Sequence, residues 1–346
     1  MANPTLLEVA KRLNPKGKIA KVAELLTQTN DVLMDMTSME GNLETGHRCT
    51  IRTGLPTVYY RAINQGILPS KSTTVQVDEG LAMTEGRSEI DVDLADLGDN
   101  RNALRFSEAL AFIESMNQTI ATGLFYGNPA VDPKQFLGLT QRYSDTSAGN
   151  AQNILSANGT TSLQQTSVWL VCWGPQTCFT IYPKGSKAGL SRKNLGEQTA
   201  YEFGGTGFRA QVYSELFKWK IGLVVKDWRS VVRICNVDTS EFAALLTTGG
   251  GGSGGVDPTS TQNLLHQMIR AADRVPNGVK RMSRPTWYMN QSTYSVLRRL
   301  ALEKSHQALA IEPAKDQFGN TFRMLSFDGI PIRQADAIVN TEAQVL

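Results

Sequence analysis

Apolar residues recur at intervals of three or four along 102–126: Phe106, Leu110, Ile113, Met116, Ile120 and Leu124. That spacing predicts one amphipathic helix of about 37 Å with a continuous apolar seam, closed by Gly127-Asn128-Pro129. Upstream the texture changes. Leu55–Asn64 and Thr73–Met83 read as two extended arms joined by Gly66–Ser72, each spanning roughly 33 Å at strand rise. Val58, Tyr60 and Ala62 on one arm, with Val75, Val77 and Leu81 on the other, are too few to bury a core. An isolated two-stranded ribbon is marginal in water. This one is therefore expected to lie on another body, most economically a neighbouring copy of the same chain. Glu89–Leu94 alternates acid and apolar, which predicts a strand with one wet face.

Residues 1–28 read as two short helices. Asn3 caps the first with Pro4 behind it, Asn14-Pro15 and Gly17 break it, and Ile19, Val22, Ala23, Leu25 and Leu26 give the second a stripe. The stretch 143–165, rich in Ser, Asn, Gly and Thr, reads as a surface excursion. Strands are expected at 167–173, 178–182, 218–225, 230–237 and near 286–289, and helices at 257–275 and 291–304. Asp328-Gly329 between 321–327 and 330–334 signals a terminal hairpin. Strands and helices mix without a regular βαβ rhythm, so the class is α+β.

At 346 residues the chain can hold one large or two medium domains. With 41% apolar and 19% charged residues it is not disordered throughout. A net charge of +3 argues against an obligate duplex-DNA binder, though not against weak contact with nucleic acid. No apolar run approaches the roughly 20 residues of a membrane span. The opening MANPTLLEVAKRL lacks the apolar block of a secretory signal, so cytoplasmic synthesis is expected.

Catalytic chemistry is hard to find. His47, His266 and His306 have no recognisable partner motif, and Gly185–Gly189 has its serine in the wrong place for a nucleophile elbow. Cys49, Cys172, Cys178 and Cys235 lack zinc-ligand spacing and read as buried thiols. Asp91 and Asp93 form a D-x-D that alternation puts on the wet face of a strand rather than around a cation. From Asp78 to Asp99 eight acids face only Arg87; they stand solvated or meet the basic Lys11–Lys21 group. Gly249–Gly255 lacks the Lys-Ser/Thr of a phosphate loop and reads as a connector. Lys184, Lys187, Arg192 and Lys193 read as a solvated loop. No catalytic, cofactor-binding or metal-ligating residue is predicted.

The order of basic arm, ribbon, long helix and mixed body resembles the major capsid proteins of tailed phages with the Hong Kong 97-type fold. Six phrases sharpen this toward epsilon-fifteen-like podophage subunits: "NPTLLEVAKRLNPKGKIAKVAELLTQTND" at 3–31, "GLPTVYYR" at 54–61, "PSKSTTVQVDE" at 69–79, "LFYGN" at 124–128, "KAGLS" at 187–191 and "GLVVKDWRSVVRI" at 222–234. The resemblance implies an N-terminal arm at 1–45 and an extended β-ribbon loop at 46–97. It further implies a peripheral domain at 98–165 with a spine helix at 102–126, and a mainly axial domain at 166–320. A C-terminal hairpin and tail at 321–346 would return to the body. It implies pentamers and hexamers closing an icosahedral shell around double-stranded DNA, assembled in a bacterial cytoplasm, with a portal and a separate decoration protein as partners and no membrane. Candidate contacts between subunits are Val58, Tyr60, Pro69, Lys71, Val75, Val77, Lys11, Lys18, Asp91 and Asp93, with joints near Gly46 and Gly98. No covalent crosslink is predicted, since no glutamate can be assigned to catalyse one at Lys71. An encapsulin-like nanocompartment shell and a soluble enzyme stand as alternatives.

Overall fold

The computed structural model describes residues 4, 8, 26–96, 101–161, 163–201, 209–240, 258–301, 309–315 and 321–345. The helices expected within 1–28, save isolated positions, the run Gly249–Gly255 and the joint at Gly98 lie outside the described residues. In chain order come α1 (Val32–Asp35), β1 (Ser38–Glu40), β2 (Gly46–Gly54), β3 (Thr73–Gly80), β4 (Ala82–Asp91), α2 (Val92–Asp96) and α3 (Arg101–Tyr126). Then follow α4 (Leu139–Arg142), β5 (Ile154–Ser156), β6 (Gln165–Trp173), β7 (Cys178–Tyr182), β8 (Leu190–Tyr201), β9 (Arg209–Val225) and β10 (Val231–Asp238). The chain continues with α5 (Pro258–Arg274), α6 (Asn277–Met282), β11 (Arg284–Met289), α7 (Gln291–Leu300), β12 (Leu309–Lys315), β13 (Thr321–Phe327) and β14 (Ile330–Gln334).

The core forms around β6 because both of its faces are covered, which is what an unbroken apolar run such as Val168–Trp173 requires. Val168, Leu170 and Cys172 pack with Leu264, Met268 and Ala272 of α5 and with Val296 and Leu297 of α7. Trp169, Val171 and Trp173 face the other way, onto Ile120, Leu124 and Phe125 of α3. β6 pairs antiparallel with β10 and with β11, and the sheet runs on through β14, β13 and β12 at one end. Asp328 and Gly329 both take positive φ, as the tight β13–β14 hairpin turn demands.

At the other end β9 is the organiser. Its last residues pair with β7, while Val212–Ile221 pairs with β4 and Arg209–Trp219 with β8. The N-terminal half of α3 lies on this wing. Phe112 stacks on Phe217 with ring centroids 5.5 Å apart, and Arg101 and Arg105 cover the Tyr213 ring at 4.7 and 5.5 Å. Arg105 and Arg192 both pair with the buried Glu215 carboxylate.

Several expectations need correction. The first ribbon arm is not Leu55–Asn64: the strand is Gly46–Gly54, and 55–72 carries no strand. The strand expected at Glu89–Leu94 holds only to Asp91, the last residue of β4. Asp91 Oδ1 accepts from the backbone N–H of Asp93 and of Leu94, and the chain turns into α2 at Val92. The helix forms where expected, but its seam is not continuous. Phe106 and Leu110 are exposed and Leu104 and Ala109 are buried in their place, because the Phe217 wing approaches from that side. β8, the first half of β9 and β12 have weak apolar periodicity and were not foreseen, so Arg192 and Lys193 stand on a strand rather than a loop. The stretch 143–165 is not a mere surface excursion, since Tyr143, Asn153, Ile154 and Leu155 are buried. Gly46 is not a free joint. It pairs with Gly80, and a Cβ there would meet Glu79 O at 2.3 Å.

Candidate assembly surface

β2 and β3 form a separate two-stranded ribbon, in register from Gly46 opposite Gly80 to Arg52 opposite Thr74, with a shift before Gly54 meets Thr73. Nine residues of β2 reach roughly 27 Å. The root is fastened to the body. Cys49 packs with Phe179, Ile181 and Val224, and the His47 ring meets Phe179 edge-on with centroids 5.5 Å apart. Arg142 donates from Nη1 and Nη2 to the two Glu79 carboxylate oxygens at 2.6 and 2.7 Å, and again from Nη2 to Leu223 O at 3.1 Å. Both charges of that pair are largely buried, so each depends on the other. Burial holds the His47 imidazole below its ordinary range, helped by Lys226 and opposed by Glu79, and pushes the Cys49 thiol up.

The tip is different. Leu55, Val58, Tyr59, Tyr60, Ile63, Ile67 and Leu68 are all exposed, with Val58 88% accessible and Tyr60 wholly so. What shapes the loop is local: the Ser70 hydroxyl donates to Thr57 O at 2.7 Å, and Asn64 takes a positive φ. Arg52, Arg61 and Lys71 lie in this segment, and no acid occurs between His47 and Val77. The tip is therefore apolar and cationic together. An exposed apolar patch of this kind marks an interaction surface.

The expected contact residues divide accordingly. Val58, Tyr60, Pro69 and Lys71 come together on the exposed tip, Val58 and Tyr60 on loop rather than strand. Val75 is exposed on β3, and Val77, half-buried, stands opposite Cys49 near the root. Asp91 is a helix cap and Asp93 is exposed in the first turn of α2. Lys11 and Lys18 lie outside the described residues. The acidic stretch is largely met from within the chain: Asp78 by Arg48, Glu79 by Arg142, Glu85 by Lys218, Glu89 by Arg87 and Asp96 by Arg101. Sequence reasoning missed the Glu79–Arg142 pair, whose partners stand 63 residues apart and share no motif.

Two open grooves flank these elements. One of about 520 Å³ runs between the C-terminal half of α3, the start of β4 and the Lys134–Phe136 loop. Another of about 430 Å³ lies beside β2, lined by Arg52, Lys226 and Arg229 among others. All four cysteines are buried free thiols, with Cys172 pushed up to about 12 by burial. Among the described residues no group of three His, Cys, Asp or Glu side chains could hold a metal ion, and no helix is long and apolar enough to cross a membrane.

A family model described as Major capsid protein GP7 matches residues 14–346. Among solved structures, the chain is similar to the cryo-EM structure of bacteriophage Epsilon15 at 28% identity and a TM-score of 0.73, covering 100% of this chain and 98% of that one. It is also similar to the bacteriophage JBD30 capsid at 10% identity and a TM-score of 0.46, over 90% of this chain and 92% of that one. The capsid of a native GTA particle matches at 6% identity and a TM-score of 0.44, over 62% of this chain and 92% of that one. No curated relative matches. The mixed α/β fold is thus one that matches a phage capsid structure over the whole chain.

Proposed function

The chain belongs to the family of Major capsid protein GP7, and from that premise we propose that its ribbon is the grip by which one subunit holds the next in the shell. The protein is the major capsid protein of a tailed-phage head, a structural component of the virion and not an enzyme. It assembles with itself. The finer reading is ours. In it the fold is Hong Kong 97-type, with 1–45 as the N-terminal arm, 46–97 as the extended loop and 98–165 as the peripheral domain around α3. Residues 166–320 are mainly axial, and 321–346 return to the body. Subunits close as pentamers and hexamers around double-stranded DNA, with a portal and a decoration protein as further partners.

One observation carries this reading: a root pinned by the buried Glu79–Arg142 pair bears a tip whose large apolar side chains touch water. Taking three or four of those side chains out of water contributes on the order of 5–10 kcal/mol. Association itself costs about 4–15 kcal/mol. A single ribbon contact is therefore weak, and ring closure with many simultaneous contacts must supply the rest. Val58, Tyr60 and Pro69 would lie on the neighbour, with Lys71 beside them, and Val75 and Val77 would extend the contact toward the root. Lys11 and Lys18 of the arm and Asp91 and Asp93 at α2 remain further candidates for opposite-charge contacts. Deleting Gly66–Ser72 tests the reading: a folded subunit that yields no stable shells is expected, and normal particle yield by electron microscopy would contradict it.

A further inference from the structure

The net charge of +3 conceals an uneven distribution. Residues 258–301 carry six arginines and one lysine against Asp273 alone, which exceeds the charge of the whole chain and leaves the rest net negative. The stretch folds as one layer. Leu264, Met268 and Ala272 of α5 and Val296 and Leu297 of α7 pack on the Val168–Leu170–Cys172 face of the large sheet, and Val279 of α6 packs against the same cluster. Burying those residues turns the other side of each helix outward. There Arg270 and Arg274 of α5, Arg281 of α6 and Arg298 and Arg299 of α7 are exposed, with Lys280 half-buried.

Helix dipoles explain only part of this. Cations do stand in the last turn of all three helices, where they offset the free carbonyls. The complementary acids are missing, since none stands in the first turn of any of them. Internal ion pairing does not account for the cations either. Among the described residues no carboxylate pairs with any of the six, and Arg270 Nη1 donates to the Gln267 amide oxygen at 3.0 Å. By contrast Glu79, Glu85, Glu89 and Glu215 are each engaged by a cation of their own chain. A second copy would therefore bring acids that are already matched. Unmet guanidinium groups on rigid helices, clear of acids, suit a phosphate backbone.

We infer that the outer face of α5, α6 and α7 is a binding surface for the phosphate backbone of duplex DNA, without preference for base sequence. This rests on the reading of the chain as a shell around double-stranded DNA, and names the side chains that the DNA meets.

Fluorescence anisotropy with a short labelled duplex and subunits dissociated from shells tests it. Four phosphate contacts give a salt slope of about −3.6, or on the order of 100-fold in affinity between about 50 and 200 mM salt. Arg274→Gln/Arg281→Gln/Arg298→Gln/Arg299→Gln is expected to lose most of that dependence and to bind at least about tenfold more weakly at the lower salt. Lys134→Gln/Lys184→Gln/Lys187→Gln/Lys193→Gln removes the same charge from exposed positions elsewhere and should bind as the unmodified chain does. Equal weakening in both variants, undiminished binding by the arginine variant, or no binding by the unmodified chain overturns the inference. So does an arginine variant that keeps its DNA affinity but no longer forms capsomers, since the face would then meet another copy. Heads of the unmodified chain that enclose no DNA would remove the underlying reading; DNA-filled heads with an unaffected arginine variant remove this surface alone.

Discussion

Arg233 Nη2 donates to Glu342 Oε2 across 2.9 Å, with both side chains nearly out of solvent, and so ties β10 to the C-terminal tail. The Ser167 hydroxyl donates to the same carboxylate oxygen and the Tyr126 hydroxyl to the other. The Arg233 guanidinium also lies over the Trp169 ring at 5.2 Å. The end of α3, strands β6 and β10 and the tail thus converge on one carboxylate. Burial, and then the Glu342 charge, push the Tyr126 phenol well above its ordinary range, which keeps it a donor.

Removing one member of this cluster should be costly. Glu342→Ala leaves the Arg233 charge buried without its partner, at about 3–5 kcal/mol of stability. Arg233→Met with Glu342→Leu removes both charges and should recover most of that loss. Denaturant unfolding of the dissociated subunit measures both. A single variant as stable as the unmodified chain would show that the cluster does not hold the tail.

At the ribbon root the same logic gives a local effect. Glu79→Ala strands the Arg142 guanidinium, on the order of 3 kcal/mol, and the loss should appear as faster amide exchange in β2 and β3. Exchange in β12 and β13, at the opposite end of the large sheet, should hardly change. Equal loosening everywhere would mean that the pair supports the whole body and not the ribbon.

Acid should loosen the root as well. His47 Nδ1 accepts from Asn42 N–H at 3.3 Å, which the neutral ring allows. Its folded value lies below the ordinary 6.5, chiefly from burial, then from Lys226, against Glu79. The unfolded chain therefore takes up the proton first, and this contribution to stability is whole above about pH 6.5 and falls as pH drops toward the folded value. The protection of β2 amides, corrected for the intrinsic pH dependence of exchange, should fall between about pH 7.5 and 5.5 more steeply in the unmodified chain than in His47→Phe. Equal slopes would exclude His47 as the cause.

Along α3 the corrected face can be read by substitution. Ile120→Ala should cost about 2–5 kcal/mol, as for a closed core site. Phe106→Ala should stay within about 0.5 kcal/mol in the dissociated subunit. If the two cost alike in thermal unfolding, the seam extends to Phe106 after all.

How much of this was legible beforehand depends on which force set each element. The strands of the core announced themselves because Val168–Trp173 is apolar on both faces and Val231–Val237 is so but for Arg233 and Asn236. The β13–β14 turn was legible because Asp-Gly supplies two positive φ angles. β8 was not, since Leu190–Tyr201 has much of its length exposed and takes its strand form from pairing with β9 rather than from its own pattern. The first ribbon arm was misplaced because Val58 and Tyr60 look like strand residues, yet stand in a loop with no ladder partner. Apolar residues on a contact surface imitate those on a core face. Of the candidate site, the thin protruding segment was readable from its shortage of apolar cover, whereas its anchoring by Glu79, Arg142 and Phe179 arises only from tertiary contacts.

Footprinting of residues 55–68 by hydroxyl radicals, on intact shells and on subunits dissociated from them, tests the central claim most directly. The account predicts that Val58, Tyr59, Tyr60 and Ile63 react readily in free subunits and are strongly protected in shells. Equal reactivity in both states would mean that the tip touches no neighbour, and the ribbon would then need another purpose.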